Sequence, residues 1–96
     1  MDKDLFIKEA VKIIGKYLSD DYKVVLFGSW ARGNALDTSD IDIGIIGEKE
    51  VARGLMHKIL EEIDKLPTLR SIDIVDLMST EENYKNKILE YAKPLA

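Results

Sequence analysis

The sequence predicts a small α/β fold of the α+β type, built as a mixed three-stranded sheet with helices mainly on one face. Helix-like and strand-like hydrophobic patterns alternate in the order helix, strand, short helix, strand, helix, strand, helix. No internal repeat or linker interrupts that order. A chain of 96 residues, 46% hydrophobic and 33% charged, has the balance of a globular protein with one core. We therefore expect one domain over residues 1–96.

The first two elements are a helix over residues 3–18 and a strand over residues 23–27. Apolar residues recur in the helix every three or four positions and so share one face: they are Phe6, Ala10, Ile13, Ile14, Tyr17 and Leu18. The strand, KVVLF, is a short apolar run between turn-forming residues, which indicates a buried strand. It leads directly into Gly28 and Ser29.

A short helical turn and a second strand follow. Ser29 is a good N-cap, so residues 30–32 are expected to begin a helical turn that Gly33 and Asn34 end. Residues 40–46 alternate strictly at first, which is the pattern of a half-buried strand. One face carries Ile41, Ile43 and Ile45, and the other carries Asp40, Asp42 and Gly44.

The remaining elements are a long helix, a third strand and a last helix. Residues 48–66 predict a helix that Pro67 stops, and its apolar stripe consists of Val51, Leu55, Ile59, Leu60, Ile63 and Leu66. Residues 71–77 predict the third strand. Residues 79–82, STEE, read as a capping box that opens a helix through about residue 92, before Pro94.

Composition excludes several classes of function. A net charge of −4 argues against a broad, strong nucleic-acid-binding surface, which needs clustered Lys and Arg. Without cysteine, the chain forms no disulfide, thiolate metal site or cysteine nucleophile. It has no apolar run long enough to span a membrane. The charged first residues do not resemble a signal peptide, so a cytoplasmic location is expected.

Asp40 and Asp42 are the first candidate site residues. At i and i+2 on one strand they point the same way, with side chains about 6–7 Å apart at their origins, so their charges repel. In isolation such a pair is more often two solvated carboxylates. A divalent cation such as Mg²⁺ would remove the repulsion, because it prefers carboxylate oxygens, water and substrate phosphates as ligands. Strand alternation adds Asp73 to the same face and turns Asp76 to the other, where we expect it to cap the strand end or the following turn.

Gly28 and Ser29 are candidate phosphate-binding residues. A glycine after a buried strand allows close approach of the backbone to a ligand, and backbone N–H groups that open a helical turn favour phosphate. The Ser29 hydroxyl can donate to a phosphate oxygen, although an N-cap alone also explains it. With the paired aspartates beginning 11 residues after Ser29, the phosphate-binding interpretation is favoured.

The segments GSWARG and SDID together resemble the signature of the DNA polymerase beta-like nucleotidyltransferase superfamily, and the chain is similar in size to its minimal nucleotidyltransferases. The matching residues are Gly28, Ser29, Ala31, Arg32, Gly33, Ser39, Asp40, Asp42 and Asp73. The resemblance implies the polymerase beta-like fold and transfer of a nucleotide from ATP with two Mg²⁺ ions. Asp40, Asp42 and Asp73 would be the catalytic and metal-binding residues, and Gly28, Ser29, Arg32 and Ser39 would bind nucleotide. A structural ion pair is an equally good interpretation of Arg32.

The resemblance also implies a partner. Minimal nucleotidyltransferases are typically antitoxins that transfer AMP to a tyrosine of a HEPN-domain toxin, so we expect a type VII-like antitoxin in a hetero-oligomer with such a toxin. Two alternatives stay open. The chain could neutralise its partner by binding without catalysis, or transfer a nucleotide to a small molecule such as an aminoglycoside.

Several other residues are assigned structural roles at this point. Trp30 could stack on a base, but packing against the sheet edge is the better interpretation. Tyr84 and Tyr91, seven residues apart, are expected to cover the core. Lys85, Lys87 and Lys93 are expected to form a solvated helix face.

Overall fold

The computed structural model describes residues 3–95. Its elements are α1 (Lys3–Tyr17), β1 (Lys23–Phe27), α2 (Gly28–Arg32), β2 (Ile41–Ile46), α3 (Arg53–Asp64), β3 (Ile72–Asp76), a 3₁₀ turn (Leu77–Ser79), α4 (Glu82–Leu89) and β4 (Lys93–Pro94). Within residues 3–95, every helix is too short or too polar to cross a membrane.

The four strands form one mixed sheet in the order β3-β2-β1-β4. β1 runs antiparallel to β2 and to β4, whereas β2 and β3 run parallel. The predicted mixed sheet is confirmed, but the predicted count of three strands is wrong. The additional β4 has only two residues, and its pairing with β1 is extended by a bond from the Leu95 N–H to the Val24 carbonyl oxygen at 2.7 Å.

The two faces of the sheet are covered unequally. α1 and α3 pack on one face, over a core that includes Ile41, Ile43 and Ile45, each with no exposed surface. The opposite face carries a smaller buried cluster of Val25, Phe27, Leu77 and Ile88. Ile88 belongs to α4, so this helix covers part of the second face. Helices mainly on one face, as predicted, leave the Asp42 end of the other face accessible.

α3 begins five residues later than predicted. The reason is the Val51 N–H, which donates to the Asp76 carboxylate at 2.7 Å in a buried bond. The same carboxylate group accepts from the Met78 N–H at 3.0 Å and caps the 3₁₀ turn. Asp76 therefore ties the segment before α3 to the end of β3, which confirms the prediction that it caps a turn.

The last helix is shorter than predicted, and the predicted capping box is wrong. The Ser79 and Thr80 hydroxyls donate back to the Asp76 and Leu77 carbonyl oxygens, each at 2.8 Å, and so stabilise the 3₁₀ turn. α4 then begins at Glu82 without a side-chain cap. Because these hydroxyls serve the preceding turn, they do not cap the helix.

Candidate active site

Gly28 lies where β1 ends and α2 begins, at a position where any side chain would be strained. Its φ is +72°, and a Cβ atom at this position would lie 2.1 Å from Oδ2 of Asp42. Residues with a side chain rarely adopt this backbone conformation. The absence of a side chain at Gly28 therefore lets the backbone of the turn lie against the Asp42 carboxylate.

Asp42 and Asp73 are direct neighbours across parallel strands β2 and β3. Partial burial raises the pKa of Asp42, and the charge of Asp73, the charge of Asp40 and a hydrogen bond with Asp73 raise it further. The cross-strand neighbour thus affects Asp42 more than its i−2 neighbour does. The structure brings together the two carboxylates that strand alternation assigned to one face.

Asp40 is exposed and immediately precedes β2. The charge of Asp40 is one of the causes that raise the pKa of Asp42. Within the described part of the chain, no three Asp, Glu, His or Cys side chains are already arranged as a metal site. The candidate site is thus a pair of adjacent carboxylates with a third carboxylate close to Asp42.

Ser29 does not cap α2, contrary to the prediction. The N-cap position is Phe27, and no side chain caps the helix. The carbonyl oxygen of Ser29 accepts bonds from the Gly33 and Asn34 N–H groups and closes the turn. Because no group among residues 3–95 bonds the Ser29 hydroxyl, that hydroxyl is available to a ligand.

Arg32 stacks on Tyr91, with its guanidinium carbon 4.5 Å from the ring centroid. Within residues 3–95 it forms no ion pair, which removes the structural ion pair as an explanation. Arg32 and Asp42 line a cavity of about 300 Å³ beside Gly28. The other lining residues are Phe27, Tyr84, Lys87, Ile88 and Tyr91.

Ser39 and Trp30 hold the loop that leads into β2. The Ser39 hydroxyl accepts from the Leu36 N–H at 2.9 Å, and its carbonyl oxygen accepts from the Trp30 indole N–H at 3.1 Å. Trp30 also packs against the main core. Ser39 does not line the cavity beside Asp42. Its contacts position the chain just before Asp40.

The residues that sequence reasoning missed lie on α4 and just after it. Tyr84, Lys87 and Tyr91 line the cavity beside Asp42, where only core or solvated positions were expected. Their spacing of three and then four residues is that of one helical face. This spacing was visible in the sequence, but it also describes an ordinary core-facing stripe.

A family model described as polymerase beta, nucleotidyltransferase, matches residues 9–96. A curated relative from Methanocaldococcus jannaschii, named as a protein adenylyltransferase, is 33% identical over 89 residues, covering 92% of this chain and 84% of the relative. The relative named MntA from Haemophilus influenzae, also a protein adenylyltransferase by name, is 36% identical over 81 residues, covering 81% of this chain and 68% of the relative.

Solved structures share the fold. One is the complex of a tri-AMPylated HEPN toxin from Shewanella oneidensis with an MNT antitoxin. It superposes with a TM-score of 0.71 at 18% identity, covering 97% of this chain and 71% of the matched chain. At that identity the likeness establishes the fold.

Proposed function

Because the chain belongs to the polymerase beta nucleotidyltransferase family, we propose that it is a protein adenylyltransferase that acts as an antitoxin. It transfers AMP from ATP to a hydroxyl group, that of a tyrosine, on a HEPN-domain toxin with which it forms a hetero-oligomer. Residues 1–96 act as one nucleotidyltransferase domain. The observation that carries the proposal is the pair of adjacent carboxylates, Asp42 and Asp73, beside the Gly28–Ser29 turn.

The relatives support the acceptor class. Two curated relatives are protein adenylyltransferases by name, and one structural neighbour is an antitoxin bound to an AMPylated HEPN toxin. These names concern the relatives themselves. We extend their activity to this chain because its Gly28–Ser29 turn lies beside the adjacent carboxylates Asp42 and Asp73.

The residues present fit a divalent cation. Asp42 and Asp73 are neighbouring carboxylates. Partial burial and then the charges of Asp73 and Asp40 raise the pKa of Asp42, so negative charge is concentrated at one point. Hard oxygen donors of this kind suit Mg²⁺. Asp40, Asp42 and Asp73 would hold two Mg²⁺ ions, which would neutralise charge on the attacking and leaving oxygens.

The chain's own residues divide the site into two sides. Gly28, Arg32 and Asp42 face the cavity on the α4 side, where the triphosphate of ATP would bind. Asp73 lies exposed on the edge strand β3 and borders a second cavity of about 270 Å³. An acceptor as large as a protein can approach Asp73 along that open edge.

The proposed transfer forms one bond and breaks one. The acceptor oxygen bonds to the α-phosphorus of ATP, the bond between that phosphorus and the bridging oxygen breaks, and pyrophosphate leaves. Asp73 accepts the hydroxyl proton on the acceptor side. Gly28 allows the phosphates to approach the backbone closely, and the Ser29 N–H, the Ser29 hydroxyl and Arg32 orient them, because positioning and charge neutralisation dominate such transfers.

The test is to incubate the protein with ATP, Mg²⁺ and the proposed HEPN-domain partner, and to measure intact mass. We expect the partner to gain one or more AMP units, with tyrosine identified as the acceptor by fragmentation. Asp42→Asn should abolish the gain. An unmodified partner that is still silenced in a stable complex would contradict transfer and support neutralisation by binding alone.

A further inference from the structure

We propose that the face of α4 turned toward Asp42, extended by Tyr91, binds the polyphosphate of the nucleotide through the Lys87 ammonium and the Tyr91 hydroxyl. The inference rests on the proposed function, since it names further groups that hold the same substrate. Neither residue belongs to the sequence signature around Gly28 and Asp42. Both come from the part of the chain for which sequence analysis predicted only structural roles.

The cavity beside Asp42 has two walls. One consists of the end of β1, the start of α2 and Asp42, which are the groups assigned to phosphate binding. The other consists of Tyr84, Lys87, Ile88 and Tyr91. A polyphosphate bound at Gly28 and near Asp42 lies within this space, so it must also meet the second wall.

The Tyr91 hydroxyl is oriented by the phosphate-binding turn itself. Its oxygen accepts the Gly28 N–H at 3.2 Å. A tyrosine hydroxyl both accepts and donates, and within residues 3–95 no group accepts its proton. This O–H therefore remains able to donate to an oxygen in the cavity, next to the turn where the phosphates bind.

Lys87 places a positive charge in the cavity where the phosphates of the nucleotide would bind. The cavity is lined by two cations, Arg32 and Lys87, and by one carboxylate, Asp42. Lys87 has no ion pair within the described part of the chain, so no protein carboxylate neutralises it. Charge-assisted hydrogen bonds from such a cation to phosphate are among the stronger polar contacts that proteins make.

The second wall is fixed in place before any ligand binds. Ile88 is buried, and its carbonyl oxygen accepts the Tyr91 and Ala92 N–H groups. Pairing of β4 with β1 holds the chain directly after this turn. Because the backbone of this segment is anchored and the Tyr91 side chain is held by Gly28 and Arg32, binding requires little ordering of the wall itself, which favours affinity.

The experiment is a calorimetric titration of the protein, with Mg²⁺ present, using ATP, AMP and inorganic tripolyphosphate. Lys87→Ala and Tyr91→Phe are compared with Lys85→Ala, which removes the same charge from α4 away from the cavity. We expect each of the first two variants to bind ATP and tripolyphosphate about 10-fold more weakly, equivalent to about 1.4 kcal/mol. AMP binding should change much less, and Lys85→Ala should bind all three ligands as wild type does.

The outcomes separate this inference from the proposed function. If Lys87→Ala and Tyr91→Phe bind ATP with wild-type affinity while the wild type modifies its partner, the inference is wrong and the proposed function stands. Equal weakening by Lys85→Ala would also overturn the inference, because the effect would then be general charge. A wild type that binds neither ATP nor tripolyphosphate would overturn both. Lys87 is exposed, so its truncation leaves the fold intact, and circular dichroism checks Tyr91→Phe.

Discussion

The two faces of strand β2 have different roles. Ile41, Ile43 and Ile45 point to the face under α1 and α3 and have no exposed surface, whereas Asp42 and Gly44 lie between them on the other face. Consecutive residues of one strand thus belong alternately to the core and to the candidate site. The apolar face therefore supplies the stability that allows two like charges to lie side by side on the other face.

The faces also differ in how much apolar surface supports them. Among residues 3–95, the face under α1 and α3 belongs to a cluster of 13 buried residues, while the opposite cluster has four. Substitutions on the first face should therefore affect folding before function. Substitutions at the Asp42 end should affect function with smaller, or even favourable, effects on folding.

The largest expected effect is on the apolar face. Ile43→Ala should lower the free energy of unfolding by about 2–5 kcal/mol, because it removes a buried side chain and leaves a cavity. Urea denaturation followed by circular dichroism measures the change. Leu60→Ala is the control: Leu60 is 42% exposed on α3, and its truncation should cost far less. Equal losses in the two variants would contradict the division between faces.

The next effect lies at the turn beside Asp42. Gly28→Ala introduces a side chain where φ is +72° and where the Asp42 carboxylate occupies the space. We expect it to lower the free energy of unfolding by about 1–3 kcal/mol and to abolish nucleotide binding in a calorimetric titration.

Gly33→Ala is the matched control for Gly28→Ala. Gly33 has a φ of +84°, but an added Cβ would meet no atom within 4 Å. This variant should carry the backbone strain alone, about 1 kcal/mol, and keep nucleotide binding. If both variants bind nucleotide equally, close approach of the turn to Asp42 does not matter for the site.

The parts of the fold that could be predicted from the sequence are those that a local pattern of apolar and polar residues determines. Alternation in residues 40–46 and 71–77 placed Asp42 and Asp73 on one face, and the register of β2 and β3 agrees. The two-residue period alone suffices to assign the faces of these strands, because one face of each strand is strongly apolar. The helix of residues 3–18 was equally accessible, since its stripe of Phe6, Ala10 and Ile14 is continuous.

What could not be predicted depends on contacts between distant segments. β4 is two residues long, and Pro94 within it argues against a strand except at a sheet edge. The contact of Tyr91 with Gly28 joins residues 63 apart. No local pattern encodes such a contact, so the second wall of the cavity became visible only in the folded chain.

A smaller effect, opposite in sign, is expected on the carboxylate face. Asp42→Asn removes a charge that faces Asp73, so it should raise the free energy of unfolding at pH 7 by about 0.2–1 kcal/mol in EDTA, while adenylyl transfer is lost. The pKa of Asp42 is raised in the folded state, so its ionisation costs stability as pH rises above its ordinary value of 3.8. The difference between variant and wild type should therefore be smallest near pH 4 and grow toward pH 7.

Urea denaturation at several pH values measures this difference, and Asp20→Asn serves as the control. Asp20 is an exposed carboxylate between α1 and β1, and it lines neither of the two cavities that Asp42 and Asp73 border. Its substitution should give no gain that depends on pH in the same way. If Asp42→Asn were destabilising at pH 7, the prediction that repulsion between Asp42 and Asp73 lowers the stability of the fold would be wrong.

The smallest effect concerns the helices that cover the apolar face. Lys16 of α1 donates to both carboxylate oxygens of Glu62 on α3, at 2.9 and 3.1 Å. Hydrogen bonding from Tyr17 and then from Lys16 lowers the pKa of Glu62, whereas hydrogen bonding to Glu62 raises the pKa of Lys16. Both shifts favour the ion pair in the folded state.

The signs of these shifts fix the pH window in which the pair stabilises the fold. The lowered pKa of Glu62 stabilises the folded state above the ordinary value of 4.5, and this stability is lost as pH falls through the folded pKa. The raised pKa of Lys16 stabilises the folded state below the ordinary value of 10.5, and this stability is lost as pH rises through the folded pKa. Glu62→Gln should thus lower the melting temperature slightly at pH 8, by less at high salt, and converge with wild type in acid. Glu61→Gln should not, because the neighbour of Glu61 is His57 on α3 itself rather than a residue of α1. A salt-independent loss in Glu62→Gln would mean that packing, rather than charge, joins α1 to α3.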